Sequence, residues 1–312
     1  MPNLRVRVPA STSNLGPGFD LLGLALGLFV EVTLEPLQAV QHELILPQDP
    51  TDHASGWPRG HNLVLRAYEA VFHAAGRTPL PGRFRAASQV PVARGLGSSG
   101  ASTAAGLLLA AAVLGDEAPG MAALHELGIG LEGHPDNVTA SLFGGCTLCL
   151  PASERAGEQH GTALVHQEVA GSLGFAVAWS DATLSTERAR TVLPASVPLE
   201  DAVENPRRLA LLLEGLRSGD PGLLSIGSVD RLHHRYRLPL IPGGAEALAA
   251  ADAAGAFATA INGSGSSLLA IGPSDRAGEL AQVLATTLAQ HDSGAVGHAL
   301  DVVAGAPVVG AW

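Results

Sequence analysis

The sequence predicts a two-domain α+β protein. Its 312 residues are too many for one small core and fit about two at roughly 150 residues each. Strand-like alternation and helix-like periodicity both recur along the chain. A polar stretch, residues 152–162, divides it, so the expected domains are 1–155 and 156–312.

The elements follow in order. Arg5-Val6-Arg7-Val8 alternates and reads as a strand ended by Pro9, and Ala10 to Asp20 reads as a loop punctuated by Gly and Pro. Leu24–Glu35 is a strand, and 47–61 is a loop. From Asn62 to Gly76 the apolar residues Leu63, Val64, Ala67, Val71 and Ala74 keep helical spacing and stop at a glycine. A strand near Phe84–Val90 precedes a Gly-rich turn and an Ala/Leu helix, Ser99–Leu114. A helix over Pro119–Gly128, a turn at Gly133–Asn137 leading into a short helix, and a strand after Gly144-Gly145 complete the first half. The second half predicts a strand at Gly174–Ser180, helices at 199–217 and 221–234, and a hairpin over Ala260–Ile271. A helix at Asp275–His291 and closing strands end it.

Composition excludes several functions. Hydrophobic residues are 46% but aromatics only 4%, so the core must be aliphatic. A net charge of −11 argues against a nucleic-acid partner, which needs clustered cations. All 18 basic residues are arginine. No Schiff base, pyridoxal anchor or Walker A lysine is therefore available. The lone pair Cys146 and Cys149 lies on a strand pattern, with no second pair for zinc, and reads as structural. The longest strongly apolar run, Ala104–Gly115, falls short of the ~20 residues a bilayer needs. The expectation is a soluble, cytoplasmic chain with no membrane partner.

The most informative segment is Pro91-Val-Ala-Arg-Gly-Leu-Gly-Ser-Ser-Gly-Ala101. Its glycines let successive backbone N–H groups turn toward an anion, and the helix that follows presents unpaired N–H donors and a positive dipole end. Ser98 and Ser99 add hydroxyls suited to a phosphate oxygen or magnesium; the pattern alone leaves a plain Ser-capped helix equally open. Gly95-Leu-Gly97-Ser-Ser-Gly100 also satisfies G-x-G-x-x-G. A dinucleotide fold fails on spacing, because the helix runs into Gly115 and leaves no room for a strand before Asp116.

Five segments in order resemble the GHMP (galacto-, homoserine, mevalonate, phosphomevalonate) kinase superfamily, and its homoserine branch in particular. They are Pro9–Asp20, Pro91–Ser99, Glu132–Gly145, Ser185–Pro194 and Asn262–Gly265. The resemblance implies a nucleotide-binding N-terminal domain, a ferredoxin-like C-terminal domain, and transfer of the γ-phosphoryl group of ATP to L-homoserine with Mg2+. It also implies a homodimer. A kinase for another small alcohol and a non-catalytic ligand-binding relative are the alternatives.

The same resemblance assigns residues. ATP falls to Asn62, Pro91, Val92, Ala93, Arg94, Gly95, Leu96, Gly97, Ser98, Ser99, Gly100, Ala101 and Thr186. Magnesium falls to Ser99 and Glu126, which lies eleven residues before Asn137. Homoserine falls to Asn14, Asp20, His134, Asp136, Asn137, Arg190 and Arg237. Chemically, the two arginines can fork a carboxylate and the acidic groups can accept an ammonium. Asn137, Glu126 and Arg190 are the expected catalytic residues, with Asn137 orienting the hydroxyl and no general base. Residue by residue, blander readings stand open: Asn62 and Asp136-Asn137 as helix caps, and Glu126 as a solvated face. The chain departs from the family pattern at Gly100, Asn262, Ser266-Ser267 and His234-Arg235.

Overall fold

The computed structural model describes residues 2–38, 41–155 and 158–312. Strand β1 (Leu4–Ser13) pairs antiparallel with β2 (Leu22–Pro36). Val6 and Val8 point into the core while Arg5 and Arg7 face out. Pro9 does not end the strand. The register shifts between Pro9 and Ala10, a bulge where a missing N–H is tolerated, and β1 runs on to Ser13 with both faces covered. The loop that follows begins only at Asn14.

After β3 (Glu43–Ile45), helix α1 (Leu63–Ala74) is capped by Asn62, and β4 (Gly82–Ser88) joins β2 antiparallel and β3 parallel. Helix α2 (Ser98–Leu114) is apolar on all sides, the mark of a buried helix. With its short extension to Glu117 it is long and apolar enough by composition to cross a bilayer, a length the sequence reading missed. Most of it is buried against α1, β1 and α4 (Asp136–Phe143), so that apolarity belongs to the core. Between them, α3 (Met121–Glu132) runs four residues past its expected end.

Strand β5 (Cys146–Leu150) pairs with β2. A hairpin, β6 (Ser153–Arg155) and β7 (Glu158–His160), leads to β8 (Ala163–Gln167), which returns to pair with β5. The expected boundary touches residues 156–157, outside the described residues; the first sheet takes β8 from beyond it.

The second half comprises β9 (Leu173–Trp179), α5 (Thr186–Thr191), α6 (Leu199–Ser218), α7 (Pro221–Gly227), α8 (His234–Arg237) and α9 (Gly244–Ala253). Then follow β10 (Ala258–Ile261), β11 (Leu268–Pro273), α10 (Ala277–Leu288), β12 (Val296–Leu300) and β13 (Val309–Ala311). The sheet order β10-β11-β9-β12, all antiparallel, with helices in both crossovers, is the ferredoxin-like arrangement. Strand β13 leaves it and pairs with β1.

Two expectations change here. The helix expected over 221–234 stops at Gly227, because one Asp230 oxygen accepts from the backbone N–H groups of Leu232, His233 and His234 and starts a new turn. Helix α9 has no counterpart among the expected elements, although Gly-Gly before it and Gly255 after it bracket an Ala-rich run. Cys146 and Cys149 are buried and free, and burial pushes the Cys146 thiol up to about 12, as a structural pair requires.

Candidate active site

Three turns converge on one cavity of about 300 Å³: Asn14–Asp20 after β1, the Pro91–Gly97 loop before α2, and the α4 entry at His134–Asn137. Asn14 and Asp20 both have positive φ, and the Asn14 Oδ1 accepts from the Asp20 N–H at 2.9 Å, which closes the first turn.

Gly97, not a serine, caps α2, with φ +69° and no side-chain cap. A side chain there would collide with Ser11 Oγ and Asn137 Oδ1. Gly95 meets the Asn262 carbonyl in the same way. The Ser-capped alternative therefore fails. The first N–H groups of α2 keep no side-chain partner, and neither Ser98 nor Ser99 spends its hydroxyl on another described residue. Pro91, Val92, Ala93, Gly95 and Leu96 line the cavity beside them. Gly100 and Ala101 are buried in the first turn of α2, behind that wall.

Asn137 is held on both sides. Its Oδ1 accepts from Ser11 Oγ at 2.9 Å and its Nδ2 donates to Ser13 Oγ at 3.0 Å. Asp136 Oδ1 accepts from the Asn137 N–H and from His134 Nδ1, both at 2.8 Å. That hydrogen bond raises the His134 pKa above its usual 6.5. Opposite, Arg190 donates through both Nη atoms to the two Asp20 oxygens at 2.8 and 3.0 Å. The fork expected for a substrate carboxylate is thus turned on Asp20. Two opposite charges in one cavity are less costly paired than apart. Arg237, 1% exposed, donates to the Ala189 carbonyl, and burial together with Arg190 pulls it down to about 10.

GHMP kinase N-terminal and C-terminal domains match residues 62–145 and 212–290. A homoserine kinase of Moorella thermoacetica is 46% identical over 85% of this chain and 86% of its own. One from a Synechococcus strain is 43% identical over 89% and 87%. The crystal structure of homoserine kinase from Cytophaga hutchinsonii superposes with a TM-score of 0.81 at 25% identity, covering 99% and 98% of the two chains. The chain belongs to the GHMP kinase family.

Within this GHMP kinase, two expected residues besides Gly100 and Ala101 stand away from the cavity. Glu126 accepts from Thr162 Oγ1 on the side of α3 that faces away from α2, and it does not line the cavity. Glu132, at the end of the same helix, does not line the cavity either, but it accepts from Thr103 Oγ1 of α2 at 2.7 Å. Thr103 lies one turn after Ser99, so Glu132 is the α3 carboxylate on the Ser99 face. Arg94 turns its guanidinium outward, donating to the carbonyls of Ser180, Asp181 and Val92 at 2.7–3.1 Å.

Asn62 serves two ends: its Oδ1 caps α1 at 3.0 Å from Val64 N, and the residue lines the cavity. Thr186, at the start of α5, lies 3.5 Å from Ser264 Oγ. Residues the sequence reading missed are Ser13, Trp57, Pro58, Leu63, Ser102, Leu184, Ser185 and Ser264. Ser13 had a visible signal, a polar run flanking Asn14; Trp57 and Pro58 lay in a stretch read only as loop.

Proposed function

We propose that this chain is an ATP-dependent kinase that phosphorylates the side-chain hydroxyl of L-homoserine. The hydroxyl oxygen attacks the γ-phosphorus, the bond to the β–γ bridging oxygen breaks, and the hydroxyl proton is released. The observation that carries the reading is a single cavity with an uncapped helix N-terminus at one end and a guanidinium–carboxylate pair at the other. The first suits phosphates. The second suits a zwitterion, which can exchange partners with Arg190 and Asp20 and leave neither charge bare. Homology to homoserine kinases supports the same substrate.

Asn137 is proposed to orient the hydroxyl, with the Ser13 hydroxyl beside it. Asp136 is already committed to His134 and the Asn137 N–H, so it is not a free base. Phosphoryl transfer through a loose transition state depends on positioning and charge neutralisation more than on early proton removal. Magnesium bound there would supply charge neutralisation for the phosphates. Ser99 and Glu132 are proposed to hold it, since one carboxylate, a hydroxyl, phosphates and water satisfy that ion. The proposal includes a cytoplasmic homodimer, for which light scattering tests the second term.

The test is ATP turnover against L-homoserine, mevalonate, galactose and L-serine. Turnover dominated by homoserine is expected; comparable kcat/KM for mevalonate would refute the zwitterion argument. A non-catalytic relative would consume ATP with none of them.

A further inference from the structure

We propose that His233, to which no role in the reaction has been given above, is a positioning residue that holds Arg237 and the Asn14–Asp20 turn in one fixed arrangement. The inference rests on the substrate reading above and adds the group that holds the substrate end of the cavity together.

His233 is fully buried. Its Nε2 lies 2.9 Å from the Gly16 carbonyl oxygen. A carbonyl only accepts, so Nε2 carries the proton and Nδ1 keeps its lone pair. That lone pair faces Arg237 Nη1 at 3.4 Å. The ring stacks on Phe19, centroids 4.9 Å apart at 28°. Phe19 in turn lies against both guanidinium groups, 5.1 Å from Arg237 and 5.7 Å from Arg190. One imidazole therefore touches the turn that carries Asp20, the ring packed under both arginines, and Arg237 itself.

The side chain is itself anchored. Its backbone N–H donates to Asp230 Oδ2, and the turn it holds is tied down again where Asn205 Nδ2 donates to the Pro17 carbonyl at 3.2 Å. The charged and titratable groups around the ring are Asp230, whose Oδ1 is 3.7 Å from Nε2, His234, edge-on at 4.5 Å, and Arg237. Burial, then Arg237, keep the imidazole neutral. Neutrality is what the arrangement needs, because a protonated ring would present Nδ1–H to a guanidinium.

The test uses two variants that each keep half of the ring's hydrogen bonding. His233→Asn places an amide oxygen near Nδ1 and retains an acceptor for Arg237. His233→Gln places an amide N–H near Nε2 and retains the donor to Gly16. The wild type is first assayed with homoserine, which tests the substrate reading alone; the variants are then compared on whichever alcohol the wild type accepts. Each variant is expected to raise the KM for the alcohol by about tenfold or more while the KM for ATP stays within about twofold. A role in folding alone would lower the fraction of active enzyme and the melting temperature without that split. Folded variants with unchanged KM for the alcohol, or with both KM values raised equally, would overturn the proposal. If neither variant folds, His233→Phe, which keeps the stacking and removes both hydrogen bonds, decides it by the same split.

Discussion

At the scale of single residues, Glu126 and Glu132 show how far spacing alone can be trusted. They are six residues apart on α3 and so point about 120° apart around its axis. Only packing selects which one meets α2, and the structure selects Glu132. Glu132→Gln is therefore expected to lower kcat by on the order of 10²-fold, with partial recovery at raised magnesium, while Glu126→Gln stays near wild type. Steady-state kinetics across a magnesium titration checks both. The phosphate-loop glycines and the polar set from Asn14 to Asn137 were legible in the sequence because their residue types already imply turns and anions. The pairing of Arg190 with Asp20 was not. It joins residues 170 positions apart, and nothing local in the sequence brings them together.

At the scale of elements, Gly97 joins a conformation and a contact. Its φ of +69° disfavours any side chain, and a Cβ would strike Ser11 Oγ and Asn137 Oδ1, the pair that holds the residue proposed to orient the hydroxyl. Gly97→Val should thus lose ATP binding by calorimetry and destabilise the fold by about 1–3 kcal/mol, since strain and overpacking add. The segment from Asp230 to Arg237 makes a pH prediction. Burial lowers the folded His233 from 6.5 to about 3. The unfolded chain takes up a proton near pH 6.5 that the folded chain refuses until about 3, so stability falls as pH drops through that window. His134 acts in the opposite sense, with its folded pKa raised by Asp136. Its contribution is complete below 6.5 and is lost as pH rises through the folded value. Urea midpoints across pH 4–8 should fall on the acid side, and His233→Asn should make that limb shallower, buried His234 supplying the slope that remains. Helix and strand periods predicted most elements. They missed the β1 extension because buried Ser11, Thr12 and Ser13 carry no apolar alternation, and they missed the break at Gly227 because Asp230 acts through backbone bonds.

At the scale of the whole molecule, Arg94 ties the phosphate loop to the second half of the chain. Its bonds to the Ser180 and Asp181 carbonyls, together with Leu184 N donating to the Ala93 carbonyl at 3.0 Å and Ser267 N to the Arg94 carbonyl at 3.1 Å, lock the loop against the end of β9 and the β10–β11 turn. Arg94→Met keeps the stem and removes the donors. It should lower stability by about 1–3 kcal/mol and raise the KM for ATP, though the side chain does not line the cavity. Thermal melts with and without ATP would show it, and an unchanged KM would limit Arg94 to stability. The two-domain plan was legible from length. The interlocking of the halves was not, because it runs through backbone carbonyls and long-range strand pairs.

The return of β13 to β1 also sets an order of events during synthesis. The outer neighbour of β1 is made long after it, with Leu4 opposite Ala311. Until residues 309–311 emerge, one edge of β1 offers open N–H and C=O groups to any passing strand. Closing that edge is a pairing of very large sequence separation, which slows folding. The sheet that β1 opens is therefore sealed long after it is started.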